Sequence, residues 1–101
     1  MDLSRWIDIY LDHLRVERAL SQNTLESYAR DLNKLASAVG DECEPEDIDA
    51  GRIAELMIAN ARAGLGARSS ARQLSALRGF FKFLVKERAA KVDPTALVER
   101  P

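Results

Sequence analysis

Apolar residues recur at the three- and four-residue steps of an α-helix in four successive stretches of the chain. In the first, Leu3, Trp6, Ile7, Tyr10, Leu11 and Leu14 share one face of a helix running to about Ala19, and Ile9, Val16 and Leu20 widen that face, so this helix is expected to be buried on more than one side. The second has Ser21 as N-cap, Leu20 placed to staple onto Leu25, and a buried face of Leu25, Tyr28, Leu32, Leu35, Ala36 and Val39 that stops at Gly40. After an acidic loop over Asp41–Asp47, Asp49 caps a third helix and Ile48 staples onto Ile53. Its apolar side is Ile53, Leu56, Met57 and Ala61, and Gly64 with Gly66 close it. The fourth starts between Gly66 and Ser69 and runs to about Ala90, with Leu74, Leu77, Phe81, Leu84 and Val85 on its core face. Asp93 and Pro94 end it, and Thr95 to Val98 add a turn. The pattern predicts an all-α four-helix bundle with short links. In its core, Leu77, Phe81 and Leu84 should meet Trp6, Leu32 and Leu56.

A chain of 101 residues makes one domain, large enough for a core that needs no metal or disulfide. The sole cysteine, Cys43, has no partner for an internal bridge. Neither a signal peptide nor an apolar run long enough for a bilayer is visible, so the expected address is cytoplasmic, with no membrane contact.

A formal net charge of -1 would argue against nucleic acid if the charges were evenly spread. They are not. From Arg62 to Lys91 there are eight Lys and Arg against the single acid Glu87, a local balance of +7, whereas Asp41 to Glu55 holds seven acids against Arg52 alone, a balance of -6. Attraction to a phosphate backbone depends on local cations, so the average does not exclude it. The basic residues also fall in line: Arg68, Arg72, Ser75, Gly79, Lys82 and Lys86 recur at helical steps opposite the apolar stripe of the fourth helix. A ridge of cations and hydroxyls, with a glycine where a surface could come close, fits a polyanion. It fits an exposed, solubilising face equally well.

The polar first turn of the second helix, Gln22, Asn23 and Thr24, is open to two readings in the same way: free N–H groups and side chains for a phosphate or base edge, or ordinary capping. His13 has no second histidine or nearby cysteine to make a metal site. The acidic run reads as a solvated loop and helix start, and no phosphate loop or Ser, His and Asp constellation is present. No cofactor is expected.

Three runs now gain weight together: SSARQLSALRGFFKFL from Ser69 to Leu84, S-x-N-T-x-x-x-Y-x-x-D-L from Ser21 to Leu32, and D-P-x-x-L from Asp93 to Leu97. In this order and spacing they resemble the amino-terminal core-binding domain of Xer-type tyrosine recombinases, and the resemblance covers essentially the whole chain. The SSAR and LSA wording of the fourth helix is similar to the XerD branch more than to XerC. The resemblance implies an orthogonal, SAM-like bundle in which residues 1–92 bind DNA and 93–101 begin a linker to a catalytic domain outside this chain. It implies double-stranded DNA as partner, at a recombination half-site. In a full-length protein it implies other protomers, in a DNA-bound tetramer that exchanges strands and resolves chromosome or plasmid dimers; the isolated domain should be a monomer. Carried over by position, the DNA-facing residues are Asn23, Thr24, Ser27, Tyr28 and Arg30 on the second helix, with Arg68, Ser69, Ser70, Arg72, Ser75, Arg78 and Lys82 on the fourth. Arg72, at the centre of the ridge, should point at the duplex, and its truncation should leave the fold intact. Gly66 stands where many relatives have a serine cap, which leaves the start of the fourth helix open.

The family's tyrosine nucleophile, with its arginines, histidine and lysine, belongs to the catalytic domain, and no counterpart is present. Tyr10 and Tyr28 lie on apolar faces, so the chain is expected to bind DNA without cutting it. Two alternatives stand beside this reading: the same domain from a phage or transposon integrase, and a helical protein-interaction module whose basic ridge meets an acidic partner.

Overall fold

The computed structural model describes residues 2–96 and 98. Its helices are α1 (Leu3–Glu17), α2 (Gln22–Val39), α3 (Ala50–Arg62) and α4 (Ala67–Lys86), with a 3-10 turn at Pro45–Asp47 in the acidic loop. No strand occurs among the described residues.

Local chemistry accounts for most of the boundaries. Ser21 caps α2 by accepting from the Thr24 N–H (3.2 Å), and Asp49 caps α3 by accepting from the Arg52 N–H (2.9 Å). The N-terminus of α1 is capped from a distance. Asp41, in the loop after α2, accepts from the Ser4 N–H at 2.8 Å and from the Ser4 hydroxyl, and these bonds hold its carboxyl below the usual range. Gly66 is the N-cap of α4 and contributes no side-chain bond.

α3 ends in a Schellman turn, with Leu65 N–H to Asn60 O (2.9 Å) and Gly64 N–H to Ala61 O (3.1 Å), and Gly64 supplies the left-handed residue at φ 89°. α4 ends the same way, with Ala89 N–H to Leu84 O (2.8 Å) and Arg88 N–H to Val85 O (3.0 Å). Here a non-glycine residue, Arg88, takes the left-handed position at φ 62°. That turn closes α4 at Lys86, short of the expected Ala90. α1 stops at Glu17, where Arg18 N–H still bonds to Leu14 O (3.0 Å) and the next residue, Ala19, is also left-handed at φ 49°.

α4 is the central helix. Ser70, Gln73, Leu74, Ala76, Leu77, Phe80, Phe81, Phe83 and Leu84 are all buried, an arc much wider than the stripe legible in the sequence, which omitted Phe80 and Phe83. Tyr10 of α1 sits against both of these rings, with centroids 5.6 Å from Phe80 and 5.3 Å from Phe83. Leu32, Ile53, Leu77, Phe81 and Leu84 are fully buried, joined by Leu56 in one core. Trp6 packs on its margin and is only partly buried.

Three expectations fail at the level of packing. α1 buries a single line, Leu3, Ile7, Tyr10 and Leu14, against α2 and α4; Ile9 and Val16 remain 42% and 66% exposed because no element among the described residues covers that side. On α3, Ala61 is exposed and Asn60 turns inward to Gln73. Gly79 does not hold a gap open for an outside surface: a Cβ there would overlap the Tyr10 hydroxyl, so the glycine lets α1 approach α4.

Beyond α4 the described residues stay on the domain. Ala90, Pro94 and Thr95 are buried, Asp93 Oδ1 accepts from the Thr95 N–H (2.8 Å) and hydroxyl (2.6 Å), and a turn joins Val98 N–H to Thr95 O (3.2 Å). Leu97, the last residue of the D-P-x-x-L run, lies outside the described residues, as do residues 99–101.

Candidate nucleic-acid interface

One ion pair sets how α2 and α4 meet. Asp31 lies on the same helical stripe as Tyr28 and Leu35, so its carboxylate is carried inward, where its side chain is 1% exposed. A buried carboxylate requires a partner. Arg72 supplies it from α4, with Nε donating to Oδ2 and Nη2 to Oδ1, each at 2.9 Å. Next to it on α4, the buried Gln73 donates from Nε2 to the Asp31 carbonyl (3.4 Å) and accepts from Nδ2 of Asn60. A single polar network therefore runs from α2 through α4 to α3. No buried side-chain polar atom among the described residues lacks a partner.

The surface on either side of this pair carries most of the residues singled out by the resemblance. On α2, Ser27 stands one turn before Asp31 and Arg30 directly beside it, with Arg30 Nη2 donating to Ser27 Oγ at 3.2 Å. Asn23 is exposed and Thr24 half-exposed one turn further back. The backbone N–H of Thr24 is taken by the Ser21 cap, which decides that group in favour of capping. On α4, Arg68 and Ser69 lie one turn before Arg72 and Ser75 one turn after; Arg68 and Ser75 are exposed and Ser69 is half-exposed.

Other candidates are placed differently. Ser70 is 5% exposed and faces the core, so its hydroxyl is not offered to the surface. Arg78 directs Nη2 to the Val98 carbonyl and ties down the segment after α4. Tyr28 packs partly buried against the core. Lys82 is exposed but lies roughly 15 Å along the α4 axis from Arg72, ten residues at the helical rise. There it lines a cleft with Lys86, Gly79 and Phe83 of α4 and with Tyr10, His13 and Arg18 of the chain around α1.

Arg72 itself is not the free cation expected. Its side chain is 38% exposed, with two of its donors spent on Asp31. Removing it would strand a buried carboxylate, so its truncation cannot be neutral for the fold. The sequence reading missed Asp31 as its partner, although an acid at i+3 from Tyr28 and i−4 from Leu35 is itself a signal of a buried, paired carboxylate. It also missed Arg18, which only the packing of α1 on α4 brings beside Lys82 and Lys86.

Tyr10 has the opposite of a nucleophile's environment. Burial, with a further contribution from Tyr28 and against the influence of Arg18, pushes its pKa up to about 12. His13 packs its ring 5.1 Å from Phe83. Among the described residues, no group of three or more His, Cys, Asp or Glu is placed to hold a metal ion and no helix is long and apolar enough to cross a membrane.

Residues 7–88 match the family model for the phage integrase N-terminal SAM-like domain. The tyrosine recombinase XerC of Azotobacter vinelandii is 43% identical over 101 residues, covering 94% of this chain and 32% of that protein. The tyrosine recombinase XerD of Brucella suis biovar 1 is 37% identical over 102 residues, covering 100% of this chain and 33% of that protein. The XerD-like wording of α4 thus does not extend to a higher overall identity with that XerD. A lambda integrase (75–356) dimer bound to a COC' core site superposes with a TM-score of 0.84 at 25% identity, covering 99% of this chain and 36% of that one. The chain spans about a third of the length of the curated relatives it matches. With its all-α SAM-like fold and a match running from the first helix to the close of the fourth, the chain belongs to the phage integrase N-terminal SAM-like domain family.

Proposed function

We propose that this chain is the DNA-binding, core-binding domain of a Xer-type tyrosine recombinase, and that it holds a recombination half-site through one surface formed by α2 and α4. The observation that carries this is the juncture at Asp31 and Arg72, which puts the polar stripe of α2 beside the basic ridge of α4. A likeness to an integrase described on its DNA core site, and to recombinases of the XerC and XerD kind, supports the same reading.

Arg68, Arg30 and Lys82 meet phosphates, joined by Arg18 and Lys86; Asn23, Thr24, Ser27, Ser69 and Ser75 contribute hydrogen bonds around Arg72. Tyr28 and Arg78 support this surface from behind. The chain does not cut DNA by itself. The nucleophile and its activating cations belong to a catalytic domain reached through the segment 93–101. In the complete protein, protomers assemble on DNA as a tetramer, exchange strands and resolve chromosome or plasmid dimers in the cytoplasm; alone, the domain is a monomer.

Titration of the chain with duplex DNA over a range of salt tests the reading. Binding should weaken steeply as salt rises, because each neutralised phosphate releases counterions, and Arg68→Ala should reduce the slope by about one. Arg62→Ala, at the end of α3, should change it much less. Equal effects of the two substitutions would make the ridge a diffuse charge effect. Absence of binding at low salt would leave the basic ridge to an acidic protein partner.

A further inference from the structure

A buried acid in the middle of a surface built to attract DNA needs a reason of its own. Asp31 cancels a positive charge on a surface whose other charged candidates, Arg30 and Arg68, are cations, and a buried ion pair contributes little to stability compared with apolar packing. Its geometry suggests what it contributes instead. The guanidinium of Arg72 has five N–H donors in a fixed plane. Asp31 takes one on Nε and one on Nη2 at 2.9 Å each. The remaining three sit on the edges turned away from the carboxylate. The side chain is 38% exposed while that of Asp31 is 1% exposed, so it is this side that meets solvent. Asp31 is itself held, through its carbonyl, by Gln73, which Asn60 holds in turn.

We infer that Asp31 is a specificity-determining positioning residue: it turns Arg72 from a free cation into a fixed, nearly neutral fork of N–H donors presented to DNA. This rests on the reading of α2 and α4 as the DNA-facing surface and deepens it. The carboxylate lies far inside the Debye length of about 8 Å at physiological salt, so the ion atmosphere registers the pair as uncharged. Arg72 then releases almost no counterions on binding, whereas Arg68, which has no carboxylate partner among the described residues, releases close to one. What Arg72 retains is direction. Two parallel N–H groups on one edge match the paired acceptors of a guanine or of a phosphate held in register, and a fork that is already aligned loses little freedom on docking. The pair therefore gives up affinity for DNA in general and raises the ratio by which one sequence is preferred over another.

The test uses the 101-residue chain with two duplexes, one selected by the wild-type chain from a random pool and one of scrambled sequence. Asp31→Asn removes the cancelling charge while keeping the shape. It should steepen the salt dependence by about one on both duplexes, raise affinity for the scrambled duplex several-fold, and lower the preference for the selected one. The double variant Asp31→Asn, Arg72→Gln removes both charges together. It should keep the wild-type salt slope and lose about tenfold in preference. Arg68→Gln is the reference for a free cation and should reduce the slope by about one.

A wild-type slope in Asp31→Asn overturns the inference, as does a slope reduced by about one in the double variant. A purely structural role would change melting temperature and leave slopes alone. If Asp31→Asn does not fold, the double variant decides. The wild-type chain gives a reading that needs no substitution: the Arg72 Nε–H signal in a proton–nitrogen spectrum should already be sharp and protected before DNA is added, and should stay so in the complex. A signal averaged with those of the exposed arginines overturns the inference. Failure of the wild-type chain to bind either duplex at low salt would instead remove the DNA-binding reading, a result distinct from binding with unaltered slopes.

Discussion

Replacing Gly79 with alanine puts a methyl group where the Tyr10 hydroxyl already is. Two effects of opposite sign follow, and their sizes can be set against each other. Glycine inside a helix costs about 1 kcal/mol relative to alanine, so on α4 alone the substitution is favourable by that amount. Against this stands the overlap. Tyr10 is 4% exposed and lies against Phe80 and Phe83, so its ring cannot swing aside without leaving both neighbours. Overpacking of this kind costs about 1 to 3 kcal/mol. The net expectation is a loss of about 0 to 2 kcal/mol in the wild-type background. In a Tyr10→Phe background the colliding oxygen is gone. The next atom, Cζ, would be 3.4 Å from the new methyl, at the near edge of ordinary contact. There Gly79→Ala should stabilise by up to about 1 kcal/mol, so the sign of the substitution turns on one distant hydroxyl. Urea unfolding of the four proteins measures the coupling; 1 kcal/mol corresponds to about 4–8 °C of melting temperature in a domain of this size. If Gly79→Ala had the same effect in both backgrounds, the contact between α1 and α4 would not be the reason for the glycine.

Three further outcomes are expected. Phe81→Ala removes a fully buried ring from the centre of the core and should cost about 3 to 5 kcal/mol by chemical denaturation, whereas a near-unchanged midpoint would mean that α4 packs on another face. Arg88→Gly should stabilise by up to about 1 kcal/mol, because Arg88 holds φ 62° at the close of α4 and glycine takes that conformation without strain; a loss of stability would point to contacts of the arginine that outweigh the backbone. The folded chain holds the Tyr10 phenol neutral up to about pH 12, while the unfolded chain ionises it near its ordinary 10.0. Its contribution to stability is therefore whole below pH 10 and declines as pH rises toward 12. Unfolding of wild type and Tyr10→Phe across that range, followed with phenolate absorbance, checks this, and parallel pH profiles for the two proteins would refute it.

The sequence by itself determined the helices, because a helix signal is local: the period of Leu25, Leu32 and Leu35, the caps at Ser21 and Asp49 and the stop at Gly64 all act within a few residues. It also marked the basic ridge, since Arg68, Ser75 and Lys82 share a face by spacing alone. Which apolar face is covered depends on the neighbours available, and spacing carries no information about them. Ile9 and Val16 satisfy the same period as Ile7 and Leu14 yet stay exposed, because nothing among the described residues packs on that side of α1. The end of α4 was set by a left-handed turn at Arg88, which no glycine announced. Pairings between helices were decided only by tertiary structure. Gly79 belongs to Tyr10, 69 residues earlier in the chain. Arg72, one of the ridge by spacing, belongs to Asp31 across a separation of 41 residues, and that one bidentate contact changes it from a free charge into a held one.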